Sequence, residues 1–178
     1  MDQDGSNPKK LTEHGQDPSW SPDGTQIVFA SHRDGLFQIY AINADGTGVR
    51  RLTKSNSESS NPAWAPDGSI AFSAATGDDR RGLFVMNPDG SDVQGLVHSK
   101  HQDFCFPSWS LDGKLLIFSA LTRLGSQGII QGEEKPKCEQ WSGEYQLFVM
   151  DGALKTHLIA DSKVMGTRPS YGRVSTTR

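Results

Sequence analysis

The densest group of chemistry-bearing side chains lies in the stretch HSKHQDFC at 98–105. His98, His101, Asp103 and Cys105 are residue types that hold zinc. Two histidines three residues apart converge only on a helix or a tight turn, and the surrounding residues signal neither. A solvated loop is the stronger reading, and no metal is expected. The Asp-Gly pairs suggest calcium, above all DQDG at 2–5. An EF-hand-like loop needs a longer ligand series ending in a distant Glu, and none follows. Asp4, Asp45 and Asp89 therefore read as turn formers. For acyl transfer the nucleophile elbow G-x-S-x-G is missing, and Ser126 in GSQG lacks its context. There is no H-E-x-x-H, P-loop or dinucleotide glycine fingerprint. Glu133, Glu134 and Glu139 include possible acid/base carboxylates, but a polar insertion is usually solvated. No catalytic residue and no cofactor is assigned.

Composition narrows the class of partner. The 178 residues fit one domain or two. Apolar residues make up 34%, while 19 glycines and 9 prolines imply many turns, a mix that suits short strands. The formal charge is −3, and the basic pairs Lys9–Lys10, Arg50–Arg51 and Arg80–Arg81 are isolated. That is not the footprint of a nucleic-acid binder. No segment approaches the roughly 20 apolar residues that span a bilayer. The start MDQDGSNPKK has no apolar h-region, so no signal peptide is visible. The two cysteines, Cys105 and Cys138, make no disulfide framework, though an oxidising compartment would allow one bridge.

The elements that must position these residues come from a repeat. DPSWSPDG at 17–24 returns as NPAWAPDG at 61–68 and FPSWSLDG at 106–113. Trp20, Trp64 and Trp109 recur at intervals of 44 and 45 residues. Each is followed by an Asp-Gly turn and an apolar run: IVFAS at 27–31, IAFSA at 70–74, LLIFSA at 115–120. A second apolar run follows: FQIYAI at 37–42, GLFVM at 82–86, QLFVM at 146–150. A polar turn then leads to a short fourth run ending near Leu52, Leu96 and Leu158. Four short strands in a unit of about 40–45 residues is the pattern of a propeller blade. The fold class is therefore all-β, with blades of four antiparallel strands.

In DPSWSPDGTQIVFAS and IYAINADGTGVRRLT the sequence resembles the TolB-type β-propeller repeat. The same repeat occurs in TolB of the Tol–Pal cell-envelope system and in the propeller domains of some serine peptidases. The chain then reads as one domain over 1–178. It holds a terminal strand of a partial blade at 1–12, blades at 13–53, 54–97 and 98–160, and the first strand of a partial blade at 161–178. The third blade carries an insertion at 121–145. The resemblance implies six blades, so the chain is expected to be a piece of a larger ring, or an open one completed by self-association. It also implies a non-enzymatic scaffold for a protein or peptide partner, for TolB a peptidoglycan-associated lipoprotein. The alternative is a propeller fragment of a peptidase, hydrolase or polysaccharide lyase whose catalytic part is absent or unrecognised. As it stands the chain reads as cytoplasmic, and as periplasmic if it is a trimmed TolB-like protein.

The tryptophans are expected to fill the wedge between adjacent blades. Function is expected on the face carrying the variable loops, EHGQD at 13–17, KSNSESSN at 54–61, HSKHQDFC at 98–105 and DSKVMGTR at 161–168. The residue before the repeated proline sits beside the central axis and varies: Asp17, Asn61, Phe106, Arg168. These four, with the loop histidines His14, His98 and His101, are the expected ligand-binding residues. One acid, one amide, one ring and one cation suit a peptide or polar ligand.

Overall fold

A computed structural model describes residues 6–77, 80–122 and 144–162. Twelve strands form three four-stranded antiparallel sheets. The first blade is β1 (Gly15–Trp20), β2 (Gln26–Ser31), β3 (Gln38–Asn43) and β4 (Arg50–Arg51). The second is β5 (Ser59–Trp64), β6 (Ile70–Ala75), β7 (Arg81–Met86) and β8 (Gln94–Val97). The third is β9 (Gln102–Trp109), β10 (Leu115–Thr122), β11 (Glu144–Asp151) and β12 (Thr156–Ser162). In each sheet the strands pair in chain order. Among the described residues there is no helix, so none is long and apolar enough to cross a membrane.

Turn chemistry sets this order. After β1 the Gly24 amide donates to the Ser21 carbonyl at 2.9 Å, and Gly24 takes φ of 68°, which glycine reaches without strain. Asp23 accepts from the Ser21 hydroxyl at 2.6 Å and from the Thr25 amide at 3.0 Å. Asp112 repeats both contacts, with Ser110 and Lys114, while Asp67 keeps only the amide contact of the two, from Ser69, because Ala65 stands in the place of Ser21. Asp45 and Asp89 close the turns after β3 and β7 by accepting from Thr47 and Ser91. Hydroxyl donors hold the Asp23, Asp45, Asp89 and Asp112 carboxyls below the ordinary aspartate range. Asp45 and Asp89 are thus turn formers, as their context suggests; Asp4 lies outside the described residues.

The core lies between blades. One cluster joins Val28, Ile39 and Leu52 of the first blade to Ile70, Phe72 and Met86 of the second, with Trp64 packed against it. The next joins Ala71 and Leu83 to Phe104, Phe118 and Met150, with Trp109 packed against it. Trp64 and Trp109 therefore fill the wedges toward their preceding blades. Trp20 is 58% exposed, because no earlier blade stands among the described residues to receive it. Residues 7–12 pair with no strand there. Leu11 nevertheless packs on Ile27, Phe29, Tyr40 and Ile42. It lies beside Gly46 as Leu52 lies beside Gly90.

Candidate binding site on the innermost strands

Each innermost strand breaks its ladder at one place. β1 pairs Gln16 with Ala30 and resumes at Ser19 with Val28, so Asp17 and Pro18 together face Phe29. Asn61 and Pro62 face Phe72 in the same way, and Phe106 and Pro107 face Phe118. Two residues against one is a β-bulge. The sequence explains it. Proline donates no amide to the ladder and disfavours the right-handed region for the residue before it. Asp17, Asn61 and Phe106 adopt φ of 51°, 50° and 55°. Asp and Asn visit this left-handed region readily, whereas Phe106 carries strain on the order of 1–2 kcal/mol. The opposing phenylalanines are themselves fixed. Phe29 stacks on Tyr40, Phe72 on Phe84 and Phe118 on Phe148, with ring centroids 5.8–5.9 Å apart.

The bulges bring two of the expected residues together. Asn61 Nδ2 donates to Asp17 Oδ2 at 3.0 Å across 44 residues of sequence. Asn61 is buried and Asp17 half-buried. Behind them runs a polar chain that composition does not reveal. Arg81, 7% exposed, donates to Ser60 Oγ at 2.7 Å, and Ser60 Oγ donates to Asn61 Oδ1 at 3.3 Å. That order turns the amide oxygen toward Ser60 and the amide nitrogen toward Asp17. Arg81 also donates to Ser73 Oγ at 3.0 Å and faces Glu58 at 3.8 Å. Burial pulls its pKa down, while Glu58 and Asp103 pull it up. In sequence the Arg80–Arg81 doublet looks like surface charge. The usable signal was its place, the first residue of β7, where the first blade carries Phe37.

The other expected residues divide. Phe106 holds the equivalent bulge on β9. His14 stands against His32, ring centroids 5.2 Å apart. His98 and His101 are exposed on the loop before β9. Arg168 lies outside the described residues. Asp103 is not available as a surface ligand, since it is 2% exposed and accepts from the Arg81 amide at 2.9 Å and from Arg80 at 3.4 Å. Cys105 is buried and disulfide-bonded, and Cys138, the chain's other cysteine, lies outside the described residues. Among the described residues no three His, Cys, Asp or Glu side chains converge as a metal site.

The profile of the TolB beta propeller domain matches residues 1–140. The chain belongs to the TolB beta propeller domain family. The Tol-Pal system protein TolB of Syntrophus aciditrophicus is 42% identical over 35 residues, which cover 20% of this chain and 8% of that protein. A protein of Agrobacterium tumefaciens assigned as a TolB superposes with a TM-score of 0.67 at 23% identity, over 83% of this chain and 50% of that one. A puromycin hydrolase superposes with a TM-score of 0.61 at 15% identity, over 96% of this chain and 24% of that one. The TolB beta propeller chain described here thus spans half or less of the length of these relatives. The structural likenesses establish the shared fold, and propellers host many unrelated activities.

Proposed function

We propose that this TolB beta propeller chain is a non-enzymatic scaffold that binds a protein or peptide segment on the loop face around the axis. The observation that carries the reading is the set of three left-handed bulges, which hold Asp17, Asn61 and Phe106 at one level of three neighbouring innermost strands. A carboxylate and a ring supply charge and apolar contact, and the buried Asn61 amide orients the Asp17 carboxylate, on rigid elements as binding sites require. Arg168 is the expected fourth contributor, with His14, His98 and His101 on the surrounding loops. Selection of a random peptide library on the immobilised chain tests this. The expected result is enriched peptides whose binding weakens about tenfold or more in Asp17→Ala and Phe106→Ala. No enrichment, or peptides indifferent to both substitutions, would contradict it.

The superposition on a puromycin hydrolase favours a second reading, a propeller portion of a larger hydrolase. Hydrolysis of puromycin by the purified chain, abolished by substitutions on the loop face, would replace the scaffold reading. The scaffold reading also includes self-association. The face bearing exposed Trp20 matches in kind the faces that bear Trp64 and Trp109, and each of those is covered by the preceding blade.

A further inference from the structure

β1 and β2 pair Gly15 with Ser31 as their outermost rung. His14 and His32 are the next positions outward on the two chains, so they oppose one another across the hairpin. Their rings lie 5.2 Å apart at 63°. This juxtaposition is held from below. Arg33 donates to Ser31 Oγ at 3.1 Å, to Thr12 Oγ1 at 2.6 Å and to the Glu13 carbonyl at 3.2 Å, tying the segment before His14 to the one after His32. Its guanidinium sits over the Phe29 and Tyr40 rings, 5.3 and 4.8 Å from their centroids. The nearby Glu13 carboxylate is paired with Lys10 at 2.6 Å. Gly15 lets the strand pass close, since a Cβ there would lie 3.1 Å from Thr12 Cγ2 and 3.2 Å from Phe29. The His32 ring rests on Phe37, centroids 5.0 Å apart. His14 takes φ of 53°, a conformation that Glu58 and Asp103 at the equivalent places do not share.

We propose that His14 and His32 form a two-imidazole site for a borderline divalent transition ion, zinc, nickel or copper in class. Imidazole nitrogens suit these ions. With metal–nitrogen bonds of about 2.0–2.1 Å and a tetrahedral angle, two imidazole centroids stand about 5 Å apart, which is the spacing found. The remaining coordination positions face solvent on the loop side, open to water or to a donor from a bound partner. The site rests on the hairpin geometry and does not depend on the axis reading. It differs from the His98–Cys105 stretch, where Asp103 and Cys105 are already engaged.

Titration calorimetry of the tag-free chain with zinc, nickel and copper salts tests it. The expected result is one ion per chain, with affinity falling about tenfold or more in His14→Asn and in His32→Gln. Asn is chosen because it tolerates the left-handed backbone. A His98→Gln/His101→Gln double variant should bind as the parent does. Absence of saturable binding overturns the proposal, and so does loss in the double variant with retention in the other two. A second measurement needs no variant. Carbethoxylation of His14 and His32, read by mass spectrometry, should fall when zinc is saturating, and unchanged labelling of both would also overturn the site.

Discussion

At the scale of the residue, the informative positions are those before the repeated prolines. Asn61 is bound on both sides, by Ser60 and by Asp17, and is held at φ of 50°. Two costs follow for Asn61→Val. A β-branched residue resists the left-handed region, and Asp17 loses a donor. Together these should lower stability by roughly 2–3 kcal/mol in denaturant unfolding. Asn61→Gly removes the donor but relieves the backbone, so its loss should be smaller, about 1 kcal/mol. Equal losses for the two variants would show that the bulge conformation is not what Asn61 is there to satisfy. Asp17→Ala should weaken ligand binding and also lower stability by about 1 kcal/mol, because the buried Asn61 amide loses its acceptor.

At the scale of the element, each blade is an antiparallel sheet closed by Asp-Gly turns and joined to its neighbour by a tryptophan. Trp64 is packed against the core between the first two blades and donates from Nε1 to the Gly68 carbonyl at 3.0 Å. Trp64→Ala should cost about 3–5 kcal/mol. Trp20 has the same sequence context but an exposed ring. Trp20→Ala should change the stability of the single chain by no more than about 0.5 kcal/mol. Thermal or chemical unfolding of both variants checks the contrast, and similar losses would remove the wedge explanation. The repeat made the fold legible, because tryptophan, turn and apolar run stay in phase over three units. The repeated proline also marks Asp17, Asn61 and Phe106, but the bulge that each forms shows only in the register of the strands. The Arg81 chain and the His14–His32 pair stayed hidden. Both depend on register within a blade, which joins residues 18 places apart in the histidine pair and 21 in the Arg81–Ser60 bond and leaves no local pattern.

At the scale of the whole molecule, three blades present one regular face of short turns and one face of variable loops. Chain direction alternates from strand to strand, so the loops entering β1, β5 and β9 share the face with the loop joining β2 to β3. The proposed self-association belongs at this scale. Sedimentation should show mass rising with concentration for the parent chain and a smaller species for Trp20→Glu. A parent that stays monomeric across concentration would exclude it. The central claim is that binding uses the loop face and axis. Hydrogen exchange of the chain with and without a selected peptide tests this most directly. The account predicts added protection in the segments 13–17, 58–61 and 101–106 and little change at the turns 21–25, 43–48 and 87–92. Protection confined to those turns would contradict it.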